Sequence, residues 1–155
     1  MTRTDHYHEP DAPKANSIVV AVTVFVRDDQ DRVLLIQRAD NGLWSIPGGG
    51  HEIGEYIADT AVRETHEETG IDVEVTGIVG VYSDPNHVVE YSDGQVRQQF
   101  SVCFRAEYRD GSPTTSDESP SVRWVARDEL DDLTIHPSIR LRIEHGYDRR
   151  DPYIG

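Results

Sequence analysis

A single cysteine, Cys103, in a chain of 155 residues excludes an intrachain disulfide and any zinc site built from several thiolates. Its neighbours Val102 and Phe104 are apolar, which predicts a buried strand position and suits a reducing cytoplasm. Basic charge is scarce as well: 15 Lys and Arg stand against 29 Asp and Glu, for a net charge of -14. Such a field opposes nucleic acid and anionic membrane surfaces as partners. A small phosphorylated ligand remains open, because divalent cations held by clustered carboxylates reverse the sign of the field locally. No apolar run approaches the ~20 residues of a membrane-spanning helix, and residues 1–16 lack the basic-then-apolar order of a signal peptide, so a soluble cytoplasmic protein is expected.

What is present is an ordered alternation of apolar runs and breaks. Residues 1–16, with Pro10 and Pro13 and no apolar period, are expected as a surface tail in which His6 and His8 flank Tyr7. The β-branched run from Ser17 to Arg27 predicts a strand buried on both faces, and Asp28 to Asp31 a turn into a second strand over Arg32 to Arg38. After the Gly48-Gly49-Gly50 loop a helix is expected over Glu55 to Thr69, stopped by Gly70. Strands follow over Ile71–Val81, Val96–Tyr108 and Val122–Val125, with polar loops at Ser83–Gly94 and Asp110–Pro120. Pro137 and Gly146 bracket a terminal helix with Ile139 and Ile143 on one face. The expected organisation is one domain over residues 17–147, flanked by tails at 1–16 and 148–155. Its class is α/β, a mixed β-sheet covered on both sides.

The first helix carries the chemistry. On a helical wheel Glu67 lies about 60° to one side of Glu64 and Glu68 about 40° to the other, so three carboxylates share a face. The adjoining face, with Ala58, Ala61, Val62, Thr65 and Thr69, is the one to be buried. Like charges packed together repel unless a cation or an arginine offsets them, and a solvated acidic face is the commoner explanation for such a cluster. The surrounding spacing decides the matter. Gly49, five residues, Glu55, seven residues, Arg63-Glu64, two residues, Glu67-Glu68, one residue and Gly70-Ile71 resemble the Nudix box, the signature of hydrolases of nucleoside diphosphates linked to another moiety. Seven such identities would arise by chance on the order of once in a million chains of this kind. One departure is Thr65, where the family has an apolar residue; its methyl can pack while its hydroxyl bonds back along the helix.

The resemblance implies a Nudix α/β/α sandwich, Mg²⁺ as cofactor with Mn²⁺ able to substitute, a small nucleotide as substrate, and a homodimer as a family-level expectation. It implies metal ligation by the Gly48 carbonyl, Glu64, Glu67 and Glu68, and a Glu55–Arg63 pair that fixes helix to loop. Glu64 is alternatively the base that deprotonates water. Glu118, six residues before Trp124, matches a loop acid that in some relatives returns to the metals or acts as base. Arg38, at the end of the second strand, matches a position that often contacts phosphate, and Gly49 lets the backbone approach the substrate. The segment Tyr82-Ser83-Asp84-Pro85 tilts the substrate toward ADP-ribose-like compounds. A sanitising pyrophosphohydrolase of canonical or damaged (d)NTPs is the alternative within the class, and a non-catalytic nucleotide-binding sensor the alternative outside it.

Overall fold

The computed structural model describes residues 2–155; residue 1 of the expected tail lies outside them. The chain forms β1 (Arg3–Tyr7), β2 (Ser17–Ile18), β3 (Ala21–Arg27), β4 (Val33–Gln37), β5 (Trp44–Ser45), β6 (Gly48–Gly50) and α1 (Ile57–Thr69). Then come β7 (Asp72–Tyr82), β8 (His87–Tyr91), β9 (Val96–Gln98), β10 (Ser101–Asp110), β11 (Ser121–Val125), a 3₁₀ turn at Arg127–Asp132, α2 (Pro137–Asp148) and β12 (Tyr153–Ile154). The larger sheet runs β11-β4-β3-β10-β7-β12, with β5 on β4 and β6 on β3. It is mixed, because β10 runs parallel to β3 and antiparallel to β7. A second sheet runs β1-β8-β9-β2.

Strand alternation builds the sandwich. Val22, Val24 and Val26 of β3 pack with Ala61, Ile71 and Phe104 on the α1 side. Phe25 between them packs with Leu35, Val79, Cys103 and Ile143 on the α2 side. Both helices therefore rest on the same strands from opposite faces, and the α/β/α arrangement is the one expected. Thr65 is fully buried and its Oγ1 donates to the Ala61 carbonyl at 2.7 Å, so the polar residue on the buried face is satisfied within the helix. Gly70 ends α1 with φ of 74°. Among the described residues no helix is long and apolar enough to cross a membrane.

Several expectations are corrected. The surface tail 1–16 contains β1, antiparallel to β8, and β8 lies inside the expected loop Ser83–Gly94. β1 shows no apolar period and β8 only the buried pair Val88 and Val89; side-chain hydrogen bonds also join the strands, between His87 Nε2 and Asp5 at 3.0 Å and between His6 Nε2 and Glu90 at 3.0 Å. The C-terminal tail contains β12, two residues parallel to β7, too short to carry a pattern. The strands expected over Ser17–Arg27 and Val96–Tyr108 each break between the two sheets, so that β2 and β9 pair in the smaller one. The first helix begins at Ile57 rather than Glu55, since the Glu55 carboxylate stays in the loop and accepts from the Glu52 amide at 3.0 Å.

The α2 side is tightly closed at Gly146, where a β-carbon would stand 2.6 Å from Cδ1 of the fully buried Phe25. Gly146→Ala is expected to lower stability by about 1–3 kcal/mol, overpacking outweighing the gain in helix propensity. Urea denaturation checks it, and a raised midpoint would contradict the packing argument.

Candidate active site

The loop from Gly48 to Tyr56 and the helix α1 are tied together by one arginine. Arg63 Nε donates to Glu55 Oε2 at 2.7 Å and its Nη2 to Glu55 Oε1 at 3.1 Å. Its Nη1 reaches Glu64 at 3.0 Å and Glu67 at 3.2 Å, and Nη2 also meets the Gly50 carbonyl at 3.2 Å. The fork holds the Glu55 carboxyl far below its ordinary range, at about 2. Thr60 adds a hydrogen bond to Glu55 at 3.1 Å and accepts or donates to His51 at 2.7 Å. Glu55 and Arg63 thus form a clamp between loop and helix.

Glu64 and Glu68 lie one helical turn apart and face the glycine loop. The Gly48 amide donates to Glu68 Oε1 at 3.4 Å. At Gly49 a β-carbon would stand 2.4 Å from the Glu64 carboxyl carbon, so only glycine lets the loop lie this close. Burial and the neighbouring Glu64 charge push Glu68 up to about 8, and burial raises Glu64 as well. The two share a proton, with Glu68 its holder; the titration belongs to the pair. Glu67 is more than half exposed and engaged by Arg63.

Among the described residues no three His, Cys, Asp or Glu side chains converge as a ready metal cluster. The structure brings Glu64 and Glu68 together at the glycines, and Glu67 shares Arg63 Nη1 with Glu64. Glu118 lines the same cleft as Gly48, Gly49, Glu68 and Arg38, and its carbonyl accepts from the Ala39 amide at 3.0 Å. Arg38 is held by Asp40 through bonds of 2.9 and 2.7 Å, which keep its charge at the cleft wall.

The cleft has a volume of about 650 Å³. Arg97, Gln98 and Gln99 line it, as do Trp44, Tyr91 and Phe100, whereas Tyr82 is a core residue whose hydroxyl meets His145 Nδ1 at 2.9 Å. Ser83, Asp84 and Pro85 lie outside the lining. Asp84 instead accepts from the Asn86 amide at 2.8 Å and contacts His8 at 2.7 Å, which is turn chemistry. Sequence reasoning missed Arg3 and Asp5 from β1, His87 from β8, and His136 and Arg142 from α2 and its cap. For Arg142 a signal existed, since it is a charge beside Ile139 and Ile143 on the apolar face of the terminal helix.

In metal-free buffer, the shared proton gives a pH dependence with a definite sign. The folded pair keeps a proton that the unfolded chain releases above its ordinary carboxylate pKa of about 4.5, so stability contributed by this pair falls as pH rises from there to about 8. Melting temperatures in EDTA across that window are expected to decline more steeply for the wild type than for Glu68→Gln. Parallel curves would refute the shared proton.

The Nudix domain family model matches residues 18–145, and the chain belongs to that family. It is a Nudix hydrolase. A MutT-like protein from Streptomyces ambofaciens is 38% identical over 122 residues, 79% of this chain and 71% of that protein. An ADP-ribose pyrophosphatase from Methanocaldococcus jannaschii is 41% identical over 70 residues, 43% of this chain and 41% of that protein. A Nudix hydrolase from Nitrosomonas europaea superposes with a TM-score of 0.69 at 26% identity, over 90% of this chain and 78% of that one.

Proposed function

We propose that this pyrophosphohydrolase cleaves the phosphoanhydride of a nucleoside diphosphate linked to another moiety, with ADP-ribose-like compounds favoured and Mg²⁺ as cofactor. The observation that carries the reading is the contact of the Glu64–Glu68 pair with the Gly48-Gly49 backbone beside a cleft that also holds Arg38 and Glu118. Two carboxylates crowded into sharing a proton are an arrangement that a divalent cation relieves, and carboxylate and backbone oxygens suit a hard one. Glu67, Glu68, the Gly48 carbonyl and Glu118 would hold it, with Glu64 kept for the attacking water, and Mn²⁺ can serve in its place. The bound ion supplies charge neutralisation at the phosphate oxygens and acidifies water.

The remaining work falls to the chain. Arg38 offers its fork to a phosphate oxygen in exchange for Asp40. The Glu55–Arg63 clamp holds α1 against its loop, so that Glu64 keeps its position when substrate enters. Glu64 takes the proton of the attacking water as the new O–P bond forms and the anhydride P–O bond breaks. The products are a nucleoside monophosphate and a second phosphorylated compound. A cleft of about 650 Å³ with polar groups at both ends suits a two-ended substrate.

A (d)NTP substrate is the second reading. The wide match to a MutT-like protein favours it, as does the position of the Tyr82–Pro85 segment outside the cleft. Kinetics on ADP-ribose, dinucleoside polyphosphates, NADH and (d)NTPs with Mg²⁺ and Mn²⁺ separate the two. The expected outcome is the highest kcat/KM on an ADP-ribose-like compound, with AMP released. A dNTP turned over about tenfold more efficiently would reverse the choice, since that ratio corresponds to about 1.4 kcal/mol of transition-state binding.

A further inference from the structure

Among the described residues, the buried side-chain atoms without a hydrogen-bond partner are Thr23 Oγ1, Ser101 Oγ, Ser119 Oγ and Arg142 Nε, and all four residues line the cleft. Unpaired polar atoms are costly in a protein interior, and their gathering on one cavity marks it as built for a polar occupant. Thr23 stands beside the Cys103 thiol, a weak partner. Arg142 is the exceptional member. It is 2% exposed, its guanidinium lies 4.6 Å over the Tyr82 ring, and Nη1 donates to the Ser138 carbonyl at 3.2 Å.

A buried guanidinium calls for a counter-charge. The ionisable groups that face Arg142 are the Cys103 thiol and the phenols of Tyr82 and Tyr7, with the His136 imidazole beside them. Burial pushes the thiol up to about 11 and raises Tyr82 too, so neither supplies an anion at neutral pH. The carboxylate of Asp5 is taken by His87 at 3.0 Å and Arg3 at 3.3 Å. The other cleft arginines have companions: Arg38 has Asp40, Arg3 has Asp5, and Arg97 lies 4.5 Å over the Tyr91 ring. Arg142 has the Ser138 carbonyl and, among the described residues, no carboxylate partner.

Two further donors line the same cleft. Ser101 is opposite Tyr82 in the β10–β7 register and two residues before Cys103, which faces α2, so its hydroxyl lies on the Arg142 side of the sheet. His136 caps α2 by accepting from the Ser138 amide through Nδ1 at 3.2 Å, which leaves Nε2 as the protonated nitrogen of the neutral ring. Its ring is fixed by stacking on His87 at 5.3 Å and by the Tyr7 edge at 5.0 Å. A guanidinium fork with a hydroxyl and an imidazole N–H beside it matches a phosphate oxyanion in charge and geometry.

We propose that Arg142, Ser101 and His136 form an oxyanion subsite in the cleft, distinct from the Glu64–Glu68 site, that receives a phosphomonoester carried by the substrate. The phosphate sits either on the nucleoside ribose or on the group linked to the diphosphate. The identity of the bearer rests on the pyrophosphohydrolase reading; oxyanion binding itself does not. Substrates with an additional phosphate are then preferred over the same compounds without it.

The first measurement is the melting temperature of metal-free protein in EDTA, titrated with inorganic phosphate against chloride at equal ionic strength. A saturable upward shift is expected in the wild type, weaker in Ser101→Ala and Arg142→Lys and absent in Arg142→Met. No shift in the wild type, or an equal shift in Arg142→Met, overturns the subsite. Should Arg142→Met fail to fold, an unchanged phosphate response in both Ser101→Ala and Arg142→Lys overturns it equally. The second measurement compares kcat/KM for ADP-ribose, its 2′-phosphate and its 1″-phosphate. One phosphorylated compound is expected to lead by about 10- to 100-fold, with the lead lost in Arg142→Met; which one leads identifies the bearer. A wild type indifferent to both phosphates overturns the preference. Phosphate binding that depends on Arg142 without hydrolysis of any of the three would support the subsite and refute the ADP-ribose-like substrate instead.

Discussion

Chelation with EDTA is expected to abolish hydrolysis, and Mg²⁺ or Mn²⁺ to restore it; Glu68→Gln is expected to lower turnover by about three orders of magnitude even at saturating metal. The carboxyl is held between the Gly48 amide and Glu64, where a neutral amide keeps the shape and removes the charge. Glu55→Gln should hurt less. Its carboxylate touches Arg63, Thr60 and the Glu52 amide, so the loss falls on the position of the loop rather than on the chemistry. Full activity in a metal-free preparation would sink the mechanism, and a Glu55→Gln variant more damaged than Glu68→Gln would reverse the division of roles. Millimolar Mg²⁺ should also raise the melting temperature, by mass action on the folded site.

Removal of the base should be nearly as severe, about 10²–10⁴-fold in kcat with metal affinity mostly kept. Glu64 is assigned that role. Its carboxylate is pinned by Arg63 at 3.0 Å and by the close approach of Gly49, which fixes its direction before substrate arrives. Glu118 lies in a segment without regular structure, joined to the neighbouring loop through its own carbonyl, which suits an auxiliary ligand that adjusts as the site fills. Metal titrations with kcat for Glu64→Gln and Glu118→Gln decide between them. If Glu118→Gln loses about three orders of magnitude in kcat with unchanged metal affinity while Glu64→Gln mainly weakens metal binding, the roles exchange.

The box was legible because its residue types are constrained together: glycine where Gly49 abuts Glu64, a paired acid and arginine at Glu55 and Arg63, and acids at the spacing of one helix face. The sandwich was legible for a similar reason, since β3, β4, β7 and β10 carry apolar residues on both faces. β1 has no apolar period and β8 only Val88 and Val89, so their antiparallel ladder, and the wall of the cleft they provide, was hidden. Residue spacing on α1 placed three acids on one face but could not show that one Arg63 nitrogen holds both Glu64 and Glu67. The substrate-side residues Arg142 and Ser101 come from elements far apart in the chain, and only the fold sets them against the same cavity.

The parallel pairing of β3 with β10 also governs how the molecule comes to exist. Ala21 and Ser101 are register partners about 80 residues apart in sequence, a long loop to close before either strand is rewarded. During synthesis β3, the glycine loop and α1 all emerge before β10 can, so the early chain has an acidic helix with no completed sheet beneath it. Activity should consequently appear late and all at once in a refolding experiment, in step with closure of the central sheet rather than with formation of the helix that bears the acids.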